Sequence, residues 1–211
     1  MTSVDVARLP RWPLRTGASI HRIFRRFGPE GQRRSPWFFS SAGGRASGRF
    51  DLPAPRGTCY FASTPVGAWL EVFRGTRLVD ATDVRRRHLA TATRSGADLR
   101  LADLSSGRAA AAGVSLDLTA SDDYSMPQAL AASIAERGHS GLRALLRHDP
   151  SGSARNIALF GTAGSPSRQF GWRVMRTEPW RDAALMSDLA AIGIHVLEVP
   201  HDVPITTPPS R

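Results

Sequence analysis

Six histidines, one cysteine and 18 carboxylates are the groups from which metal and nucleophilic sites are usually built, and here their spacing favours neither. His21, His88, His139, His148, His195 and His201 form no helical pair with a carboxylate partner, and there is no HExxH stretch. There is no Walker loop or GxSxG elbow, and Gly43-Gly44 with Gly48 misses the spacing of a dinucleotide fingerprint. Cys59, beside Tyr60 in an apolar run, reads as a small buried hydrophobe before it reads as a nucleophile. A single cysteine makes no internal disulfide and no thiolate zinc site. Arg22 is more informative. It lies between Ile20 and Ile23-Phe24, where a guanidinium must either be paired or face a ligand.

The elements that would carry such residues alternate between short apolar runs and helical stretches. Ile20–Phe24, Trp37–Phe39 and Thr58–Ala62 read as strands. Thr64-Pro65 opens a helix, with threonine as cap and proline at the first helical position. Val66, Trp69, Leu70 and Phe73 then form one apolar face. Glu71 lies roughly opposite that face, at about 100° per residue, and by pattern alone is a solvated surface residue. Ser125-Met126-Pro127-Gln128 has capping-box spacing before a helix running to about Arg137, closed by Gly138. Leu142–Leu146 and Asn156–Phe160 read as strands joined by the turn-rich His148–Gly152. A last helix carrying Leu185, Leu189 and Ile192 stops at Gly193 and leads into a strand over Ile194–Val199. This mixed order predicts an α/β or α+β domain with a central mixed sheet. Residues 1–17 read as a basic arm, 18–202 as the domain and 203–211 as a Pro-rich tail.

A chain of 211 residues is large enough for one self-sufficient core. Its hydrophobic and charged fractions, 41% and 22%, are those of a globular protein. No apolar run reaches the roughly 20 residues of a membrane span, and residues 1–15 lack the apolar core of a secretory signal. A soluble, cytoplasmic protein is the expectation. All 28 basic residues are arginine, which reflects a GC-rich coding sequence more simply than a binding surface. Residues 1–60 hold 11 arginines against Asp5, Glu30 and Asp51, a local excess of eight. Without a basic helix or a recognition motif, that excess suits solvated surface or a small phosphorylated ligand better than DNA.

The order of several short stretches resembles a known family. These are His21-Arg22-Ile23, Gly48-Arg49-Phe50-Asp51, Gly57–Ser63, Ala68–Phe73, Gly141-Leu142-Arg143, Arg147–Pro150 and Asn156–Phe160. Together they resemble the RES domain, whose members are NAD-degrading toxins of bacterial toxin–antitoxin pairs with a fold similar to that of ADP-ribosyltransferases. The resemblance spans about Ser19 to Gly161. It implies catalytic roles for Arg22, Tyr60 and Glu71. NAD would be the substrate, with no resident cofactor or metal, and the partner would be an antitoxin. The family serine falls on Leu146 and the family tyrosine before it on Ala144, while Arg147 keeps the arginine that follows. Ser151 or Ser153 would take the serine's place only if the loop were displaced.

Cleaving the nicotinamide–ribose bond passes through an oxocarbenium-like state, which a carboxylate such as Glu71 would stabilise. Arginine forks suit the pyrophosphate, a role for Arg22 with Arg49 or Arg147, and the Tyr60 ring would stack on a base. Asn156 is a further binding candidate, although a strand-start cap explains it equally; Tyr124 and Gln128 have the same two readings. Three functions therefore stay open. The first is an NAD glycohydrolase, or a phosphorylase if phosphate is the acceptor. The second is a transferase of ADP-ribose onto a macromolecule. The third is a module that binds NAD, ADP-ribose or a partner, catalytically impaired because Leu146 removes a hydroxyl and fills space.

Overall fold

The computed structural model describes residues 4–43, 47–115, 118 and 123–198. Among these residues the strands are β1 (Arg11–Leu14), β2 (Ser19–Arg25), β3 (Arg56–Ala62), β4 (Leu78–Asp80), β5 (Arg87–Arg94), β6 (Leu99–Asp103), β7 (Gly141–Leu145), β8 (Arg155–Thr162), β9 (Trp172–Thr177) and β10 (His195–Leu197). The α-helices are α1 (Pro65–Phe73), α2 (Ala81–Arg85), α3 (Gly107–Ala111), α4 (Ser125–Glu136) and α5 (Ala183–Ala191). Eight strands form one mixed sheet in the order β1-β6-β7-β8-β3-β2-β5-β9, while β4 and β10 pair in parallel beside it. Within the large sheet β6–β7 is the parallel pair and the other neighbours are antiparallel.

Apolar side chains at period two decide which faces are covered. On one face Leu130, Ala131 and Ile134 of α4 pack on Leu142 and Ala158. Beside them Trp69 and Leu70 of α1 pack on Ile23 and Ala62, with Leu185 and Leu189 of α5 closing over the top. On the other face Leu14, Leu101, Ile157, Phe61, Ile20 and Ala92, drawn from β1 through to β5, meet Trp37 in one cluster. Strands distant in the sheet order share that cluster because the sheet curls around it.

Three expectations are corrected here. The segment read as an arm supplies the edge strand β1, paired from Arg11 opposite Ala102 to Leu14 opposite Leu99. Leu14 is buried in the curl, and Pro13 is tolerated because an edge strand needs donors on one side only. Trp37–Phe39 makes isolated bridges and no strand: Phe39 meets Gly164 and Ser40 meets Thr58, while the Trp37 N–H is taken by Ser35 Oγ at 3.1 Å. The capping box on α4 is not formed. Ser125 is already helical and gives its N–H to Asp123 Oδ1 at 2.9 Å, a carboxylate being the stronger acceptor. Gln128 instead reaches away from the helix, its Nε2 donating to Ser47 Oγ and Gly48 O at 3.0 Å each. Thr64 does cap α1, its Oγ1 accepting from Gly67 N at 3.0 Å. Val199 and the tail from 203 lie outside the described residues.

One join in the large sheet differs from the rest. Between β2 and β3 a single bridge, His21 opposite Ala62, holds the strands, whereas β3 and β8 pair along seven residues. The sheet parts at that point.

Candidate active site

A cavity of about 490 Å³ opens over this parting, a volume within the range of small-molecule sites. One wall is α1, the opposite wall is the segment Ser47–Phe50 with Tyr124, and Arg147-His148 closes one end. Cross-strand partners point to the same face of a sheet. The register therefore places His21, Tyr60, Ala62 and Asn156 on one face, beneath α1. All six residues named from the sequence, Arg22, Arg49, Tyr60, Glu71, Arg147 and Asn156, line this cavity.

Glu71 is on the polar side of α1, as its spacing required, but that side faces the cavity and not open water. Its Oε1 accepts a hydrogen bond of 3.3 Å from Asn156 Nδ2. Burial pushes its carboxyl above the ordinary value; the Asn156 bond and the nearby charges of Arg49 and Arg74 oppose that shift without cancelling it. A carboxylate so placed, partly dehydrated and near cations, is suited to stabilising positive charge that develops in front of it.

Tyr60 is fastened by its hydroxyl, which accepts from Phe50 N and donates to Asp51 Oδ1, both at 2.8 Å. Asp51 is fully buried and takes further bonds from Ser40 Oγ at 2.9 Å and Gly48 N at 2.6 Å. Burial raises the Asp51 carboxyl and these donors hold it down; the Tyr60 phenol is raised well above its usual value, first by burial and then by Asp51. The group anchors the turn that carries Arg49. Tyr60→Phe is expected to destabilise the fold by about 1–3 kcal/mol, because it strands the Phe50 N–H and removes a donor from a buried carboxylate. Denaturant unfolding would check the loss, and for substrate turnover KM should rise more than kcat falls; unchanged stability would sink the assignment.

The cations differ in how they are held. Arg22 alternates to the other face, where Nη1 donates to Pro36 O at 3.0 Å and contacts Cys59 Sγ at 2.7 Å, so it borders the cavity from behind the parting. Arg49 lies over the Tyr124 ring, 5.5 Å from its centroid. Arg147 and His148 stand at the end of β7. Burial and then the charges of Arg147, Arg74 and Arg49 press the His148 pKa down. Arg74, which the sequence did not single out, caps α1 with φ 52°, a left-handed conformation that no other described residue except glycine adopts. A side chain there costs roughly 1 kcal/mol relative to glycine. Its signal was the Arg74-Gly75 pair, which looks like an ordinary helix end. His21 was also missed as a lining residue; its Nδ1 lies 3.1 Å from Thr91 Oγ1.

Leu146 does not enter the cavity. Its neighbours Leu145 and Arg147 line it, while Leu146 is 3% exposed in the cluster with Trp69, Ala68 and Ala154. Ser151 and Ser153 are turned to Asp149, with Ser151 Oγ donating to its Oδ1 at 2.6 Å, and neither lines the cavity. Among the described residues no group of His, Cys, Asp and Glu is placed to hold a metal, and no helix is long and apolar enough to cross a membrane.

Comparison with known proteins bears on the family and the fold. The family model described as RES domain matches residues 19–184. No curated protein matches the sequence. Among solved structures, the chain is similar to the toxin in the crystal structure of the M. tuberculosis MbcT–MbcA toxin–antitoxin complex, with a TM-score of 0.57 and 19% identity. The match covers 88% of this chain and 93% of that one, so the likeness is one of whole fold, a mixed α/β domain with a curled sheet.

Proposed function

Because the chain belongs to the RES domain family, we propose that it consumes NAD by breaking the nicotinamide–ribose bond, acting as the toxin of a toxin–antitoxin pair. The observation that carries this reading is Glu71: a carboxylate bonded to Asn156, sunk into the wall of a cavity that is otherwise bordered by arginines. Arginines at the cavity edge hold the pyrophosphate, and Glu71 faces the ribose. As the C1′–N bond breaks, its electron pair leaves with nicotinamide, which departs neutral and needs no acid. Positive charge gathers on C1′ and O4′, where the Glu71 carboxylate opposes it. Water then adds at C1′ and loses a proton, giving ADP-ribose; if phosphate adds in its place, the product is the phosphorylated sugar.

Incubating the purified protein with NAD, with and without phosphate, and following nicotinamide by chromatography tests the reading. Release identifies the enzyme and the co-product identifies the acceptor. Intact NAD alongside saturable NAD binding would refute it. A partner that covers the cavity would act as antitoxin by excluding the dinucleotide, and MbcA, named with MbcT as one toxin–antitoxin complex, is a precedent for such a pair.

Asn156 provides a finer check. Its hydrogen bond lowers the Glu71 pKa, so Asn156→Ala should raise that pKa further. The active form is the carboxylate, so kcat/KM is lost as pH falls through the Glu71 pKa, and the acid limb of the profile should move to higher pH in the variant. A uniform loss at every pH would mean that Asn156 only supports the fold.

A further inference from the structure

One residue that lines the cavity has no part in the bond-breaking step. His21 belongs to a row of cross-strand partners that runs over the parting: Thr91 on β5, His21 on β2, Ala62 on β3 and Asn156 on β8. Such partners point to one face of the sheet, here the face that carries the cavity. Ala62 puts only a methyl group between its neighbours. With strands about 4.8 Å apart, the α-carbons of His21 and Asn156 lie roughly 10 Å apart across that gap. Glu71 holds the far side through its bond to Asn156. The row therefore sets an imidazole and a carboxylate on opposite sides of a gap on the scale that leaves room for a water beside a reacting sugar carbon.

The imidazole is also oriented. His21 Nδ1 lies 3.1 Å from Thr91 Oγ1, and among the described residues nothing bonds to Nε2. When Nδ1 gives its proton to Thr91, Nε2 carries the lone pair. Burial presses the His21 pKa down, so the ring is neutral at neutral pH. The other two candidates for a proton are worse placed. Glu71 must stay ionised to oppose the charge on the sugar. His148 is held down by burial and, beyond that, by the charges of Arg147, Arg74 and Arg49, which oppose a further cation beside them.

We infer that His21 is the general base for the acceptor: its Nε2 takes a proton from water as the water oxygen bonds to C1′, so that a neutral acceptor can capture the sugar. This rests on the dinucleotide reading above and specifies its second half. The electron pair of the C1′–N bond has left with nicotinamide; a lone pair of the water oxygen forms the new C1′–O bond. One O–H bond breaks and its proton passes to Nε2, from which solvent removes it as ADP-ribose departs. When capture is slow, nicotinamide still in the cavity recombines with the cation, so the base raises net turnover. Thr91 is a positioning residue that fixes the tautomer.

Product analysis of NAD turnover by the unaltered protein, His21→Gln and Thr91→Val, in buffer alone and with sodium azide, tests the inference. Azide is an anion that attacks C1′ without giving up a proton, so it needs no base. His21→Gln is expected to form ADP-ribose about 10²-fold more slowly or worse, with azide restoring nicotinamide release and yielding ADP-ribosyl azide. Thr91→Val, a change of similar shape, should cost about tenfold and be relieved by azide in the same way. An undiminished rate of ADP-ribose formation in His21→Gln overturns the inference, as does a loss that azide leaves in place. If His21→Gln does not fold, the same two outcomes in Thr91→Val overturn it. Nitrogen-15 spectra of the histidines in the unaltered protein should show His21 protonated at Nδ1; a proton on Nε2 also overturns the assignment. Release that is indifferent to His21 refutes the base and leaves cleavage standing, whereas no release from any of the proteins, with or without azide, refutes cleavage and the base together.

Discussion

Glu71→Gln is expected to reduce nicotinamide release by about 10³-fold while making the protein more resistant to heat. Both effects have one cause. Burial raises the Glu71 carboxyl above its ordinary value, so the folded state holds a proton that the unfolded chain gives up more readily. Below the ordinary carboxylate range both states are protonated and Glu71 carries no ionisation penalty. As pH rises through that range, the unfolded chain ionises first and stability falls; beyond the raised folded value the full penalty persists. Glutamine never ionises and keeps the acceptor for Asn156. Melting curves of the two proteins should therefore coincide near about pH 3.5 and separate towards neutrality, with the glutamine form higher. Loss of turnover without that separation would mean that the carboxylate is not held in the cavity wall. An unchanged turnover would remove Glu71 from the chemistry altogether.

Leu146→Ser, which would restore the residue type the family carries, is expected to harm the protein and not to revive it. The side chain lies among Trp69, Ala68, Ile23 and Ala154, away from the cavity. Serine there removes most of a leucine's volume, and large-to-small changes of that kind cost about 2–5 kcal/mol. The hydroxyl adds roughly 1–3 kcal/mol more if it finds no partner among these apolar neighbours. Together the terms rival the whole stability of a typical domain. Chemical denaturation should show a large loss, with turnover per folded molecule no higher than before. A stable, more active variant would show that position 146 reaches the substrate after all. The alternative of a module blocked at this position loses its motive, because Leu146 fills core and not pocket.

The parts of the fold that could be read from the sequence are those set by local chemistry. Thr64-Pro65 and the Val66–Phe73 spacing fix α1, and Gly138 and Gly193 close α4 and α5 with φ of 78° and 76°. β5 and β9 were harder, because Arg87–Arg94 has Leu89 as its one large apolar residue and is otherwise alanine, threonine, arginine and His88, so its burial comes from partners far away in sequence. β1 was hidden by its proline, since its place at an edge depends on β6 almost ninety residues later. The site divides in the same way. Periodicity put Glu71 on the polar side of α1 correctly, but only the parting of the sheet turns that side into a cavity wall. Arg22 and Asn156 reach the cavity through strand register, Arg147 by following β7 and Arg49 on the turn that Asp51 anchors, none of which a local pattern encodes. Asp51 was visible only as part of the Gly48–Asp51 stretch. Its work, holding Tyr60 and the backbone of Gly48, is done by long-range bonds.

The weak join between β2 and β3 bears on how the molecule breathes. A sheet fastened along every strand opens as one unit, whereas one with a seam divides into two blocks, here β2-β5-β9 and β1-β6-β7-β8-β3, strapped together by α1 and the Trp37 cluster. Amide protons on either side of that seam would exchange with solvent in separate classes, those beside the seam fastest. A molecule lodged in the parting touches both blocks at once and acts as a staple between them. Substrate, or a partner inserted there, would then merge the two classes into one slower class, and a change confined to the lining residues would be felt out to β9 and β1.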